Sequence, residues 1–207
     1  VTRNIFEIMH PDDLAWTRKV FAKLVQEPGG RESGIFRLRR SDGTWRWVEA
    51  IATNFLNEPV INAVVINYRD ITEGKQTEEA LREERNLLRT LIDNIPDRIY
   101  VMDSQGRKTL SNTADWQASG GKTMEDVIGM TDVDTYPPEL AEEFWQHDRA
   151  VLDSGQAVIN YEEPGRDTEG NRVSILTTKI PLRDSEGKVV GLVGIGRDIT
   201  ERKQVEE

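Results

Sequence analysis

The sequence contains no cysteine. That excludes disulfide frameworks, thiolate zinc sites, iron–sulfur clusters, cysteine nucleophiles and flavin adducts to a thiol. Histidine is nearly absent, with only His10 and His147. Positive charge is also short: 27 Lys and Arg face 37 Asp and Glu, for a net charge of −10. Phosphate binding needs clustered Lys and Arg, so a nucleic-acid partner is not expected. No run approaches ~18 consecutive apolar residues, so no membrane contact is expected from this segment. No basic or hydrophobic leader is visible, which makes the cytoplasm the expected location. What is present is ordinary globular material. At 37% hydrophobic residues the chain is too apolar for a disordered acidic tail. Its 207 residues suit one large domain or two small ones.

An internal repeat decides between these. Arg69-Asp70-Ile71-Thr72-Glu73 returns as Arg197-Asp198-Ile199-Thr200-Glu201, offset by 128 residues. Ser41-Asp42-Gly43 lies opposite Thr168-Glu169-Gly170 at 127, and His10-Pro11-Asp12-Asp13 opposite Tyr136-Pro137-Pro138-Glu139 at 126. A drift of this size is what loop-length changes between two copies of one fold produce. Subtracting the offset sets Val1 near Gly129 of the second copy. The first copy is therefore expected to lack its leading strands. The start at Val1 and the charged ending at Glu207 suggest a fragment at both ends.

The second copy reads β-β, short helices, one longer helix, then β-β-β. The leading strands flank Asp103-Ser104-Gln105-Gly106, a hairpin signal. The longer helix is predicted over 138–153, where Leu140, Ala141, Phe144, Asp148, Val151 and Leu152 recur at helical spacing before Gly155. Three strands follow near 157–164, 172–182 and 188–197, turning at Glu169-Gly170-Asn171 and Ser185-Glu186-Gly187. The first copy gives a helix near 11–26 and strands near 33–40, 45–56 and 60–69. This order argues for an α+β architecture with an antiparallel sheet. The limits are 1–71 for the partial unit, 72–94 for a helical linker, 95–200 for the complete unit and 201–207 for an outgoing helix.

The chain resembles the PAS family, and both Arg-Asp-Ile-Thr-Glu segments resemble its C-terminal PAC motif. The residues that carry the resemblance include Leu91-Ile92-Asp93-Asn94-Ile95-Pro96-Asp97, Asn112 after the second strand, Val127-Ile128-Gly129 and Asp42-Gly43-Thr44-Trp45-Arg46-Trp47. The resemblance implies a PAS fold: a five-stranded antiparallel sheet with helices on one face, here with a long interdomain helix and a truncated N-terminal unit. It implies a sensory and dimerisation module whose output domain lies elsewhere in the protein. That domain is most often a histidine kinase of a phosphorelay, otherwise a diguanylate cyclase. A ligand-free relay or interaction module is the competing reading. The chain itself is not expected to be an enzyme, since no nucleophile–base pair or Gly-rich phosphate loop emerges.

Several residues are candidates for function. Asp70, Thr72 and Glu73, with Asp198, Thr200 and Glu201, sit where a strand ends and a charged helix begins. They read as Asp-type capping boxes and as hinges between sheet and helix. Leu81, Leu88 and Ile95 recur every seven residues and, with Leu91, form a narrow stripe suited to a homodimeric coiled-coil seam. Asn112, Trp116, Tyr136, Phe144, Trp145 and Tyr161 are the candidate pocket lining. Some haem-binding PAS proteins ligate iron through a His on the longer helix. At His147 that reading is disfavoured, because Phe144 is better directed inward. The carboxylates show no ordered metal loop, so no metal site is expected. Gly191, Gly194 and Gly196 alternate inside an apolar strand and read as close-packing positions.

Overall fold

A computed structural model of the chain describes residues 4–167 and 169–206. Val1, Thr168 and Glu207, which entered the alignment of the copies or the domain limits, lie outside the described residues. The chain divides into two compact units, residues 1–84 and 85–207.

In the first unit, helix α1 (Pro11–Leu24) begins with Pro at its first position, where no N–H is needed. His10 Nδ1 accepts from the Asp12 N–H at 3.3 Å and caps it. Strands β1 (Arg31–Arg39), β2 (Trp45–Asn54) and β3 (Val64–Asp70) form an antiparallel sheet in chain order. Met9, Phe36, Val48 and Ala50 are its buried core. Asp13 is buried in the first turn of α1 and is answered by Arg37 of β1. Arg37 donates from Nε at 3.0 Å, from a terminal nitrogen at 2.9 Å and from its backbone N–H at 2.8 Å. Those hydrogen bonds hold the Asp13 carboxyl below the usual range and tie helix to sheet. Helix α2 (Thr72–Asp93) follows, close to the predicted 72–94.

The second unit has the expected order. Strands β4 (Arg98–Asp103) and β5 (Lys108–Ser111) come first, then short helices α3 (Thr113–Ala118) and α4 (Asp132–Thr135). The longer helix α5 (Pro138–Ser154) precedes β6 (Val158–Arg166), β7 (Arg172–Arg183) and β8 (Val189–Asp198). A last helix, α6 (Thr200–Glu206), leaves the sheet. The five strands are antiparallel in the order β5-β4-β8-β7-β6. Met102, Leu192 and Val151 centre a core that includes Tyr100, Leu152 and Val158.

Three hairpins share one turn chemistry. Asp103, Asp167 and Asp184 each accept through Oδ1 from the N–H groups two and four residues on, at 2.8 to 3.0 Å. The residue between is Gly106, Gly170 or Gly187, all with positive φ, where a side chain would be strained. The glycine signals the turn in the sequence, and the aspartate ties it. Gly194 has a different reason. It pairs with Tyr100 across β4 and β8, and a Cβ there would fall 2.1 Å from the ring. The close-packing reading of this position follows from that ring.

Candidate functional site

The sheet of the second unit carries an inward face at every other residue. On β4 that face is Arg98, Tyr100 and Met102. On β7 Val173, Ile175, Thr177 and Lys179 are buried in alternation. Where this face meets the helices it leaves a cavity of about 40 Å³. Tyr100, Met102, Lys108, Asp115, Asp132, Tyr136, Phe144, Glu163, Ile175 and Thr177 are among its walls. The first unit holds a hollow of similar size, about 50 Å³, walled by Phe6, Met9, Trp16, Phe21 and Phe36. Its walls are almost wholly apolar, so it has few groups with which to orient a ligand. The second cavity is the candidate site because charged groups converge on it.

Two buried lysines organise those charges. Lys108 Nζ lies 2.8 Å from Asp115 Oδ2 and donates to Ser119 Oγ at 2.8 Å. Ser111 Oγ donates to the same Asp115 oxygen at 2.5 Å. Lys179 Nζ stands 2.6 Å from Asp148 and 3.7 Å from Glu163. Burial works against both ammonium groups. Asp115 outweighs it at Lys108, as do Asp148 and Glu163 at Lys179, so both pKa values lie above the usual lysine range. Burial dominates at Asp148, whose carboxyl is pushed up despite Lys179. Neither Asp148 oxygen has a well-aligned hydrogen bond, so its contact with Lys179 is an ion pair.

Glu163 is hydrogen-bonded at one end only. Its Oε1 accepts from Thr177 Oγ1 at 2.7 Å, while Oε2 lies 3.5 Å from His147 Nδ1 with no hydrogen bond. Asp132 is 8% exposed and lines the cavity. Its carboxylate makes no hydrogen bond among the described residues. Burial, with Asp148 nearby, pushes its pKa to about 7. Asp132 thus exchanges its proton near neutrality.

The residues expected at the pocket divide. Tyr136 and Phe144 line the cavity and meet edge to face at 5.2 Å. Asn112 is fully buried at the N-terminus of α3, where its side chain bonds only backbone. Trp145 lies over Gly106 in the β4–β5 turn. Tyr161 is 41% exposed and stacks edge-on against His147 at 4.7 Å. Trp116 is half-buried on α3 and is outside the walls. The sequence reading missed Lys108, Asp115, Asp132, Glu163 and Lys179. The available signal was parity: Lys179 shares the inward register of Val173 and Ile175.

The hinge segments have a geometry that a capping box does not describe. Thr72 and Thr200 are the first helical residues, so Glu73 and Glu201 stand one position too early to be capping-box partners. Asp70 accepts from the Thr72 N–H at 2.9 Å, and Asp198 from the Thr200 N–H at 2.8 Å. The threonine hydroxyls do the clamping. Thr72 Oγ1 accepts from the Trp47 N–H on β2, and Thr200 Oγ1 from the Ser174 N–H on β7, both at 2.9 Å. The Ser174 carbonyl in turn accepts from Ile199. Lys203 of α6 pairs with Glu162 of β6. On α2, Leu81, Leu88 and Leu91 are 46 to 55% exposed, and Ile95 beyond it is 39% exposed. Among the described residues no helix is long and apolar enough to cross a membrane.

Comparison with known proteins agrees with this architecture. One PAS fold family matches residues 92–204 and another matches residues 1–64. The virulence sensor protein BvgS of Bordetella bronchiseptica is 30% identical over 145 residues, covering 69% of this chain and 12% of that protein. The methanogenesis regulatory histidine kinase FilI of Methanothrix harundinacea is 30% identical over 138 residues, covering 65% of this chain and 15% of that protein. Among solved structures, the Vibrio cholerae VqmA dimer has a TM-score of 0.50 at 30% identity, over 55% of this chain and 50% of that one. VqmA bound to DPO gives the same score and identity over 56% and 58%.

Proposed function

The chain belongs to the PAS family, and from that premise we propose that residues 85–207 sense a small molecule and pass the occupancy of their cavity to the outgoing helix α6. One observation carries the reading. Thr177, in the cavity wall, lies three residues along β7 from Ser174, whose N–H is clamped by Thr200. A change in cavity packing therefore has a short covalent and hydrogen-bonded route to α6. The signal is a shift between two packings of that joint.

VqmA bound to DPO supports the presence of a bound ligand. FilI, a histidine kinase by name, supports a histidine kinase output domain in cis. A cytoplasmic place fits the same reading. The exposed stripe of Leu81, Leu88, Leu91 and Ile95 suits a parallel homodimer, and the VqmA dimer supports self-association. The cavity's small size favours a second reading, a ligand-free relay in which the same joint passes strain from a neighbouring domain.

The test uses the full-length protein. Thr200→Val removes the hydroxyl acceptor while keeping the side chain's shape. One hydrogen bond is worth about 0.5–1.5 kcal/mol, so basal output should shift roughly 2- to 10-fold while ligand affinity holds. The same preparation should sediment as a dimer at micromolar concentration. Unchanged output would sink the relay, and a monomer would remove the seam.

A further inference from the structure

We infer that the cavity of the second unit takes a small organic cation carrying N–H donors, such as an amidinium, held between Asp132 and Glu163. The inference rests on the ligand-site reading and adds the ligand's chemistry. Asp115, Asp132, Asp148 and Glu163 are each at most 8% exposed, and the buried bases with them are Lys108 and Lys179. Lys108 is taken by Asp115. Lys179 is shared unequally, 2.6 Å from Asp148 and 3.7 Å from Glu163. Arg98, at the cavity wall, donates to the Arg166 carbonyl at 2.5 Å. Carboxylate is therefore in excess around the cavity.

The excess is localised. Asp132 is more than nine-tenths buried, lines the cavity and has no hydrogen-bond partner among the described residues. Glu163 Oε2, also buried, has no hydrogen bond and only long ion contacts, 3.7 Å to Lys179 and 3.5 Å to His147. A buried carboxylate oxygen without a hydrogen bond is costly, and a fixed N–H donor of opposite charge is its strongest partner. An anion would instead have to take a lysine from its carboxylate. Among the described residues no group of three His, Asp or Glu side chains is placed to hold a metal ion. That favours an organic cation over a metal. Tyr136 and Phe144 add aromatic walls suited to a flat cation. One water needs about 10–15 Å³ of such space, so about 40 Å³ admits roughly three or four non-hydrogen atoms.

Acetamidinium, acetamide and acetate share one shape and differ in charge. Each is titrated into the full chain by calorimetry at fixed ionic strength and about pH 8. Acetamidinium should bind roughly 10-fold or more tightly than acetamide, and acetate should not bind. Asp132→Asn and Glu163→Gln should each weaken acetamidinium roughly 10-fold and leave acetamide unchanged. Circular dichroism and the melting temperature of each variant confirm that it is folded. Acetamide or acetate binding as well as acetamidinium, with amide shifts at the cavity walls, would overturn the cation class and leave a ligand site standing. Acetamidinium binding that both folded variants retain would overturn the assignment to this cavity. Binding by none of the three, with no amide shift at the walls, would overturn the inference and count against the ligand-site reading itself.

Discussion

Lys179→Met should lower the unfolding free energy of the second unit by about 3–5 kcal/mol, the usual consequence of removing one partner of a buried ion pair. Lys179 and Asp148 are 2% and 1% exposed. Methionine fills much of the same volume, so the loss comes from stranded charge rather than from a void. Asp148 of α5 and Glu163 of β6 would then be left with no ammonium between them. Part of the loss should return in the Lys179→Met, Asp148→Asn double variant, which removes one of the two stranded charges. Denaturant unfolding followed by circular dichroism measures both effects. A loss below about 1 kcal/mol, or no recovery in the double variant, would contradict the ion-pair account.

Asn112→Ala should be comparably damaging, at about 3 kcal/mol or more, because each buried backbone group left unpaired costs about 1–3 kcal/mol. Asn112 Oδ1 accepts from the N–H groups of Ile99 and Asp115 at 2.9 and 3.0 Å. Its Nδ2 donates to the carbonyls of Ile92, Asp97 and Ile95 at 2.8, 2.9 and 3.3 Å. One side chain thus joins the last turn of α2, the start of β4 and the start of α3. Asn112→Asp is the sharper control. It keeps the acceptor and turns the donor into an oxygen facing three carbonyls, so it should destabilise nearly as much as alanine. Equilibrium unfolding of both variants checks this. A neutral Asn112→Asp would mean that the donated bonds matter little.

These two residues also show what was legible in the sequence. Strands and helices were, because period-2 and period-3.6 apolar patterns state which face is buried, and the glycine-ending turns state where strands reverse. The predicted 138–153 and the observed Pro138–Ser154 nearly coincide for that reason. The helical spacing even placed Asp148 on the buried face with Phe144 and Val151. What a sequence pattern conceals is a charge paired with another charge distant in the chain. Lys179 and Asp148 meet only after β7 folds under α5. Asp132 carries no local signal at all, since a short helix following Thr131 is an ordinary place for an aspartate. The aromatic residues were the more visible candidates. Only Tyr136 and Phe144 reach the cavity, because rings on successive residues of a helix, such as Phe144 and Trp145, point about 100° apart. At the hinges, the repeated Asp-Ile-Thr-Glu marked the right segment. The bond that matters there reaches across to another strand, which sequence proximity does not reveal.

The central claim is that the cavity and the outgoing helix form one mechanical unit. Amide hydrogen exchange on the full chain tests it most directly, comparing Asp132→Asn with the parent at about pH 8. Asp132 lies on α4 and shares the cavity wall with Ile175 and Thr177 of β7 but bonds to neither Ser174 nor α6, so the substitution changes the cavity's charge without removing a hydrogen bond of the joint. Exchange at the Ser174 amide, which donates to Thr200, and at the Lys203 amide, which donates to Ile199, should change by roughly 2- to 10-fold. The β7–β8 turn at Asp184 to Lys188 should exchange as before. If protection changes at the cavity walls and stops there, with Ser174 and Lys203 unmoved, the cavity does not speak to α6 and the account fails.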